Sequence, residues 1–141
     1  MKVIVDTSAF YALEDRSDAH HVDAKRMRDG LRDPRFRLFT TNLVLAESIT
    51  LIGVRLGAAH AARFADNAYS SRRLGIVRMT EELERASLER YRGYEDGSLS
   101  FVDVSLTEVA ERLEADRVFA FDRHFVQYGR TPLGRSDVRA R

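Results

Sequence analysis

The sequence predicts a three-layer α/β/α fold around a central, mainly parallel sheet of four or five strands. Three observations carry that expectation. Short apolar runs such as Val3-Ile4-Val5 and Val118-Phe119-Ala120-Phe121 recur between segments with helical periodicity. Continuous apolar runs suit strands buried on both faces, as in a parallel sheet. The chain of 141 residues has the size of one domain, and strands alternating with helices at this spacing build α/β layers. Residues 1–134 are expected to form the domain and 135–141 a polar, mobile tail.

Lys2 to Val5 reads as the first strand, closed by Asp6, with Thr7 and Ser8 leading into a short helix over Ala9 to Asp15. Ser17-Asp18 can cap a second helix from about Ala19 to Leu31, ended by Gly30 and Asp33-Pro34 because the residue before proline avoids the α region. Its His20 and His21 point in different directions on a helix and read as surface residues. Phe36 to Phe39 follows as a strand, and Thr40-Thr41-Asn42 offer three N-cap residues for a strongly apolar helix over Leu43 to Leu56. An Ala-rich helix spans Gly57 to Ser71, and Gly75 to Met79 is the third strand. Thr80 starts a helix reaching Arg92, with Glu81 and Glu82 at its positive end. Ser100 and Asp103 match the capping-box pattern of a helix that runs to Leu113. Arg117 to Phe121 is a fourth buried strand, and Thr131-Pro132-Leu133 a brief last one confined by its proline to an edge.

Composition excludes several classes. Cys is absent, so disulfides and thiolate metal sites are ruled out. No apolar run approaches the roughly 18 residues that span a bilayer, and the N-terminus lacks the features of a signal peptide, so no membrane association and a cytoplasmic location are expected. A net charge of +1 gives no overall basic field of the kind that marks many nucleic-acid binders.

Four acids stand at suggestive places. Asp6 and Asp122 each end an apolar strand, and Asp103 lies in the first turn of a helix. Glu47 shares a helix face with Leu43 and Leu51, an apolar face expected to point inward, where a carboxylate needs a cation or strong donors. Each acid also has a plainer role: Asp6 and Asp103 as caps, Glu47 as the partner of an arginine. Parallel topology, however, puts strand ends and the following helix starts on one edge of the sheet, where all four can meet. Carboxylates crowded together do not all stay ionised without cations, and oxygen-only ligands favour Mg²⁺ or Mn²⁺ over Zn²⁺. Two such ions about 3.5–4 Å apart can activate water against a phosphodiester and stabilise the leaving oxygen, with no protein nucleophile.

These residues resemble a known family. Asp6-Thr7-Ser8 after a valine-rich strand, Glu47 five residues after Asn42, Leu99-Ser100-Phe101-x-Asp103 and Phe121-Asp122-Arg123-His124-Phe125 together look like a PIN domain, more narrowly a VapC toxin of a toxin–antitoxin pair. The resemblance runs from about residue 2 to 133. It implies a Mg²⁺- or Mn²⁺-dependent endoribonuclease acting on structured RNA such as tRNA or rRNA, a homodimer, and a small antitoxin partner. It makes Asp6, Glu47, Asp103 and Asp122 the metal-binding, catalytic acids and Thr7, Ser8 and Asn42 their polar support. Arg72, Arg73, Arg123 and Arg130 are candidates to hold RNA phosphates by residue type alone. A haloacid-dehalogenase-type phosphatase would need a second acid two residues after the first, where Ser8 stands. The alternatives left are a related DNA nuclease and a catalytically silent RNA- or protein-binding module.

Overall fold

The computed structural model describes residues 1–94, 97, 99–122 and 131–139. Its elements are β1 (Lys2–Val5), α1 (Thr7–Glu14), α2 (His21–Gly30), β2 (Arg37–Thr41), α3 (Asn42–Leu56), α4 (Ala58–Ser70), β3 (Leu74–Val77), α5 (Glu81–Arg92), α6 (Phe101–Arg112) and β4 (Arg117–Phe119). The sheet is parallel throughout, in the order β3-β2-β1-β4. Ile4 lies at its centre, paired with Phe39 on one side and Val118 on the other. Val3 and Ile4 are fully buried, as strands covered on both faces require. Thr131-Pro132-Leu133 contributes one parallel bridge, Pro132 to Val118, rather than a strand. It lies outside β4, at the edge that a proline demands.

Element boundaries move where a distant polar group captures a backbone N–H. The fourth strand stops at Phe119, not Phe121, because the Phe121 N–H donates to Ser8 Oγ (3.0 Å). The third stops at Val77, and the Met79 N–H donates to Asn42 Oδ1 (2.8 Å), tying the end of β3 to the first turn of α3. The first helix starts at Thr7, two residues early, since the Asp6 carboxylate caps it by accepting from the Ser8 N–H at 3.1 Å. Ser17-Asp18 does not cap α2. Asp18 Oδ1 accepts the His20 N–H (2.8 Å) in a local turn, and the helix begins at His21. The capping box of α6 forms as its residues require, and Thr41 caps α3.

The tail differs from expectation. Residues 135–139 are docked, not mobile: Asp137 pairs with Arg117 (3.1 Å), its carbonyl accepts from Arg35, and Val138 packs against the core. Gly30 makes that docking possible, because a Cβ there would lie 2.5 Å from Val138 Cβ and 2.6 Å from the Val138 carbonyl oxygen. Backbone has no room to give, so Gly30→Ala should cost about 1–3 kcal/mol despite the better helix former. The check is a lower melting temperature together with faster tryptic cleavage after Arg135. Among the described residues, no helix is long and apolar enough to cross a membrane.

Candidate active site

The parallel strands deliver their carboxyl ends to one edge, and Asp6 sits at its centre. Its N–H continues the ladder by donating to the Phe119 carbonyl (3.1 Å), so the side chain follows the most buried strand into the crevice beyond the sheet. Asp6 is only 3% exposed. One oxygen, Oδ2, accepts from the Ser8 hydroxyl (2.8 Å) and the Ser8 N–H (3.1 Å). The other, Oδ1, is buried with no hydrogen-bond partner. A native structure seldom leaves a buried carboxylate oxygen unmatched, and such an atom calls for an explanation. Burial, then the charge of Asp103, pushes the Asp6 carboxyl up to about 6 against the pull of its Ser8 hydrogen bonds.

Asp103 fills its capping role. Its carboxylate accepts the Ser100 N–H (3.1 Å) and its own N–H donates to Ser100 Oγ (3.1 Å), closing the capping box. At the same time its charge reaches Asp6. Glu47 stands on the flank of α3, half-buried, whereas the face that enters the core carries Val44, Leu45, Ser48 and Ile52. The Leu43–Glu47–Leu51 face is therefore a margin of the core and does not point fully inward. Its carboxylate is matched by a donor from the first strand's end, the Thr7 hydroxyl at 2.6 Å. Asp122 is exposed and follows Phe121, whose N–H is held by Ser8.

Ser8 thus joins two strand ends: its hydroxyl donates to Asp6 and accepts from the backbone beside Asp122. Thr7 couples Asp6's neighbour to Glu47. Asn42 serves the scaffold through Met79. Among the described residues no three Asp, Glu or His side chains form a finished metal cage. The orphaned buried oxygen of Asp6, with the charge of Asp103 reaching the same carboxylate, is an oxygen-donor arrangement that fits a hard divalent cation.

Arg72 and Arg73 are not brought to this edge. They precede β3, at the amino ends of the strands, and Arg73 donates to the Leu31 and Asp33 carbonyls at 3.0 and 3.2 Å. Arg123 and Arg130 lie outside the described residues.

His20, expected at the surface, is exposed but not isolated. Its ring stacks on Phe121 with centroids 4.5 Å apart and planes 12° from parallel, next to Asp122. The partner is 101 positions away, and no local pattern could have announced it.

The PIN domain family matches residues 3–131 of the chain. The chain belongs to that family. This PIN domain is 30% identical over 128 residues to a VapC ribonuclease of Archaeoglobus fulgidus, covering 89% of this chain and 80% of the relative. It is 32% identical over 128 residues to the 23S rRNA-specific endonuclease VapC20 of Mycobacterium tuberculosis, covering 90% and 94%. The crystal structure of Mycobacterium tuberculosis VapC20, described as a sarcin–ricin loop cleaving toxin, superposes with a TM-score of 0.85 at 29% identity, covering 93% of this chain and 98% of that one. This chain is accordingly a VapC-type PIN domain.

Proposed function

We propose that this VapC-type PIN domain is an endoribonuclease that hydrolyses phosphodiester bonds in structured RNA, with Mg²⁺ or Mn²⁺ held by Asp6, Glu47, Asp103 and Asp122. In this reading it is the toxin of a toxin–antitoxin pair, a homodimer whose partner is a small antitoxin protein. The observation that carries the reading is the unpartnered Oδ1 of a 3%-exposed Asp6, within reach of a second acid's charge, in a chain whose relatives are VapC nucleases.

The divalent ion supplies Lewis acidity that activates water and offsets charge on the leaving oxygen. The chain supplies the arrangement. Ser8 holds Oδ2 of Asp6 while Oδ1 is left without a hydrogen-bond partner, and the same hydroxyl fixes the backbone that carries Asp122. Thr7 orients Glu47, and Ser100 anchors Asp103 on the first turn of α6. The hydrogen bonds that steer ligands commonly matter nearly as much as the ligands.

The test is cleavage of a sarcin–ricin-loop hairpin RNA and of total tRNA by the purified protein, with Mg²⁺, with Mn²⁺ and with EDTA. Cutting is expected with either metal and none with EDTA; cutting that persists in EDTA would overturn the metal-dependent mechanism. A DNA hairpin of the same sequence should stay intact, and its equal digestion would favour the DNA-nuclease alternative. Calorimetric titration adds a second expectation: Glu47→Gln should weaken Mg²⁺ and Mn²⁺ binding by about tenfold or more.

A further inference from the structure

Beside Asp6 and Asp122 lies a cleft of about 300 Å³ whose lining includes Ser8, Tyr11, Leu51, His20, Phe121 and two carboxylates, Asp18 and Asp122. That volume is at the small end for ligand pockets and suits a single flat ring system. Tyr11, Leu51, His20 and Phe121 give it apolar and aromatic walls. Among the described residues its lining holds two carboxylates and no arginine or lysine, and the Arg55 guanidinium lies over the Tyr11 ring (5.1 Å to the centroid). A flat ring offering N–H donors suits this lining, since ionised carboxylates such as Asp18 accept hydrogen bonds and do not donate them. The aromatic surface is pre-set. Asp18 Oδ1 fixes the His20 backbone (2.8 Å), and the imidazole lies flat on Phe121 with its own residue exposed to solvent.

We propose that this cleft is a nucleobase subsite: an unstacked base of the RNA stacks against the His20–Phe121 pair, and its amino group meets Asp18. The proposal rests on the RNA-cleaving reading and adds to it a place and a preference. Ser8 is shared between the cleft and Asp6, so a base seated here lies adjacent to the acids. Bases with an exocyclic amino group (guanine, adenine, cytosine) are expected to bind better than uracil, which lacks one. Stacking on aromatic and imidazole rings is the usual way proteins hold single-stranded RNA bases. His20 is a specificity residue in this scheme, with no part in the chemical step.

The experiment uses 5′-fluorescein heptaribonucleotides, six uridines around a central G, A, C or U, bound to the full chain in low salt with EDTA and read by anisotropy. The wild type should prefer G, A or C over U at the centre. His20→Ala should weaken binding of the preferred oligomers by about fivefold or more, the loss of one base–aromatic stack, and His20→Phe should restore it. Asp18→Asn keeps an oxygen for the His20 N–H but adds donors, so the preference for amino-bearing bases should vanish. Unchanged melting temperatures would separate these effects from misfolding, and His20 is exposed enough to make both changes safe. Wild-type-like binding by His20→Ala, equal weakness of His20→Phe, or no base preference in the wild type overturns the subsite. Because binding is read without metal or turnover, an absence of cleavage would sink the nuclease reading and leave the subsite standing, whereas cleavage with His20-independent binding would do the reverse.

Discussion

Replacing Asp6 by Asn should abolish RNA cleavage and, in the absence of metal, make the protein more stable. Loss of activity by at least about 100-fold is expected, since even outer partners of a metal ligand cost about 10- to 100-fold. The gain in stability follows from the proton balance. The Asp6 carboxyl titrates near 6 in the folded protein against 3.8 in its ordinary state. Between those values the folded chain binds more protons than the unfolded one, so the contribution of this group falls as pH rises from about 4 to 6 and stays lowered above. Two pH units correspond to about 3 kcal/mol. Asn carries no charge and escapes that loss. Its amide can keep the oxygen on Ser8 and offer its nitrogen where an unmatched oxygen now lies. Urea unfolding in EDTA should therefore show Asp6→Asn and wild type nearly equal at pH 4, and the variant ahead by about 1–3 kcal/mol at pH 8. A variant that still cuts RNA, or is weaker at pH 8, contradicts the assignment of Asp6 as a residue kept at the expense of stability for a cation.

Much of this was readable from local pattern. Val3-Ile4-Val5 followed by an acid marks a buried strand and its mouth, and Ser100 with Asp103 marks a helix start, because each depends on residues within a few positions. What escaped depends on remote partners. The ends of β3 and β4 are decided by Asn42 and Ser8, 37 and 113 positions from the N–H groups they capture. The docked tail depends on Arg35 and Arg117 meeting Asp137 and on the bare backbone of Gly30. The helical repeat correctly grouped Glu47 with Leu43 and Leu51, yet periodicity does not say which apolar stripe meets the sheet, and Val44, Ser48 and Ile52 do so. Residue type alone made Arg73 a phosphate ligand, while parallel topology puts it at the opposite edge, spent on two carbonyls.

The same remoteness makes Ser8 the most informative supporting residue. A helix-capping reading of the Asp6-Thr7-Ser8 segment assigns the Ser8 hydroxyl no task, since its N–H alone meets the cap. In the structure that hydroxyl both donates to Asp6 and accepts from Phe121. Ser8→Ala leaves one Asp6 oxygen with a single donor and the half-buried Phe121 N–H without its partner, a cost of about 1–3 kcal/mol in stability. Ser8 lowers the Asp6 carboxyl against burial and Asp103. Its loss must therefore raise that pKa further and leave less carboxylate for a cation at neutral pH. The expected result is a rise of about 10- to 100-fold in the Mg²⁺ concentration for half-maximal cleavage, with much of the rate recovered at saturating metal and higher pH. Ser8→Thr keeps the hydroxyl and should remain near wild type. If Ser8→Ala instead loses rate uniformly at every metal concentration and pH, the hydroxyl acts on the substrate, and its bridge between the two strand ends is only structural.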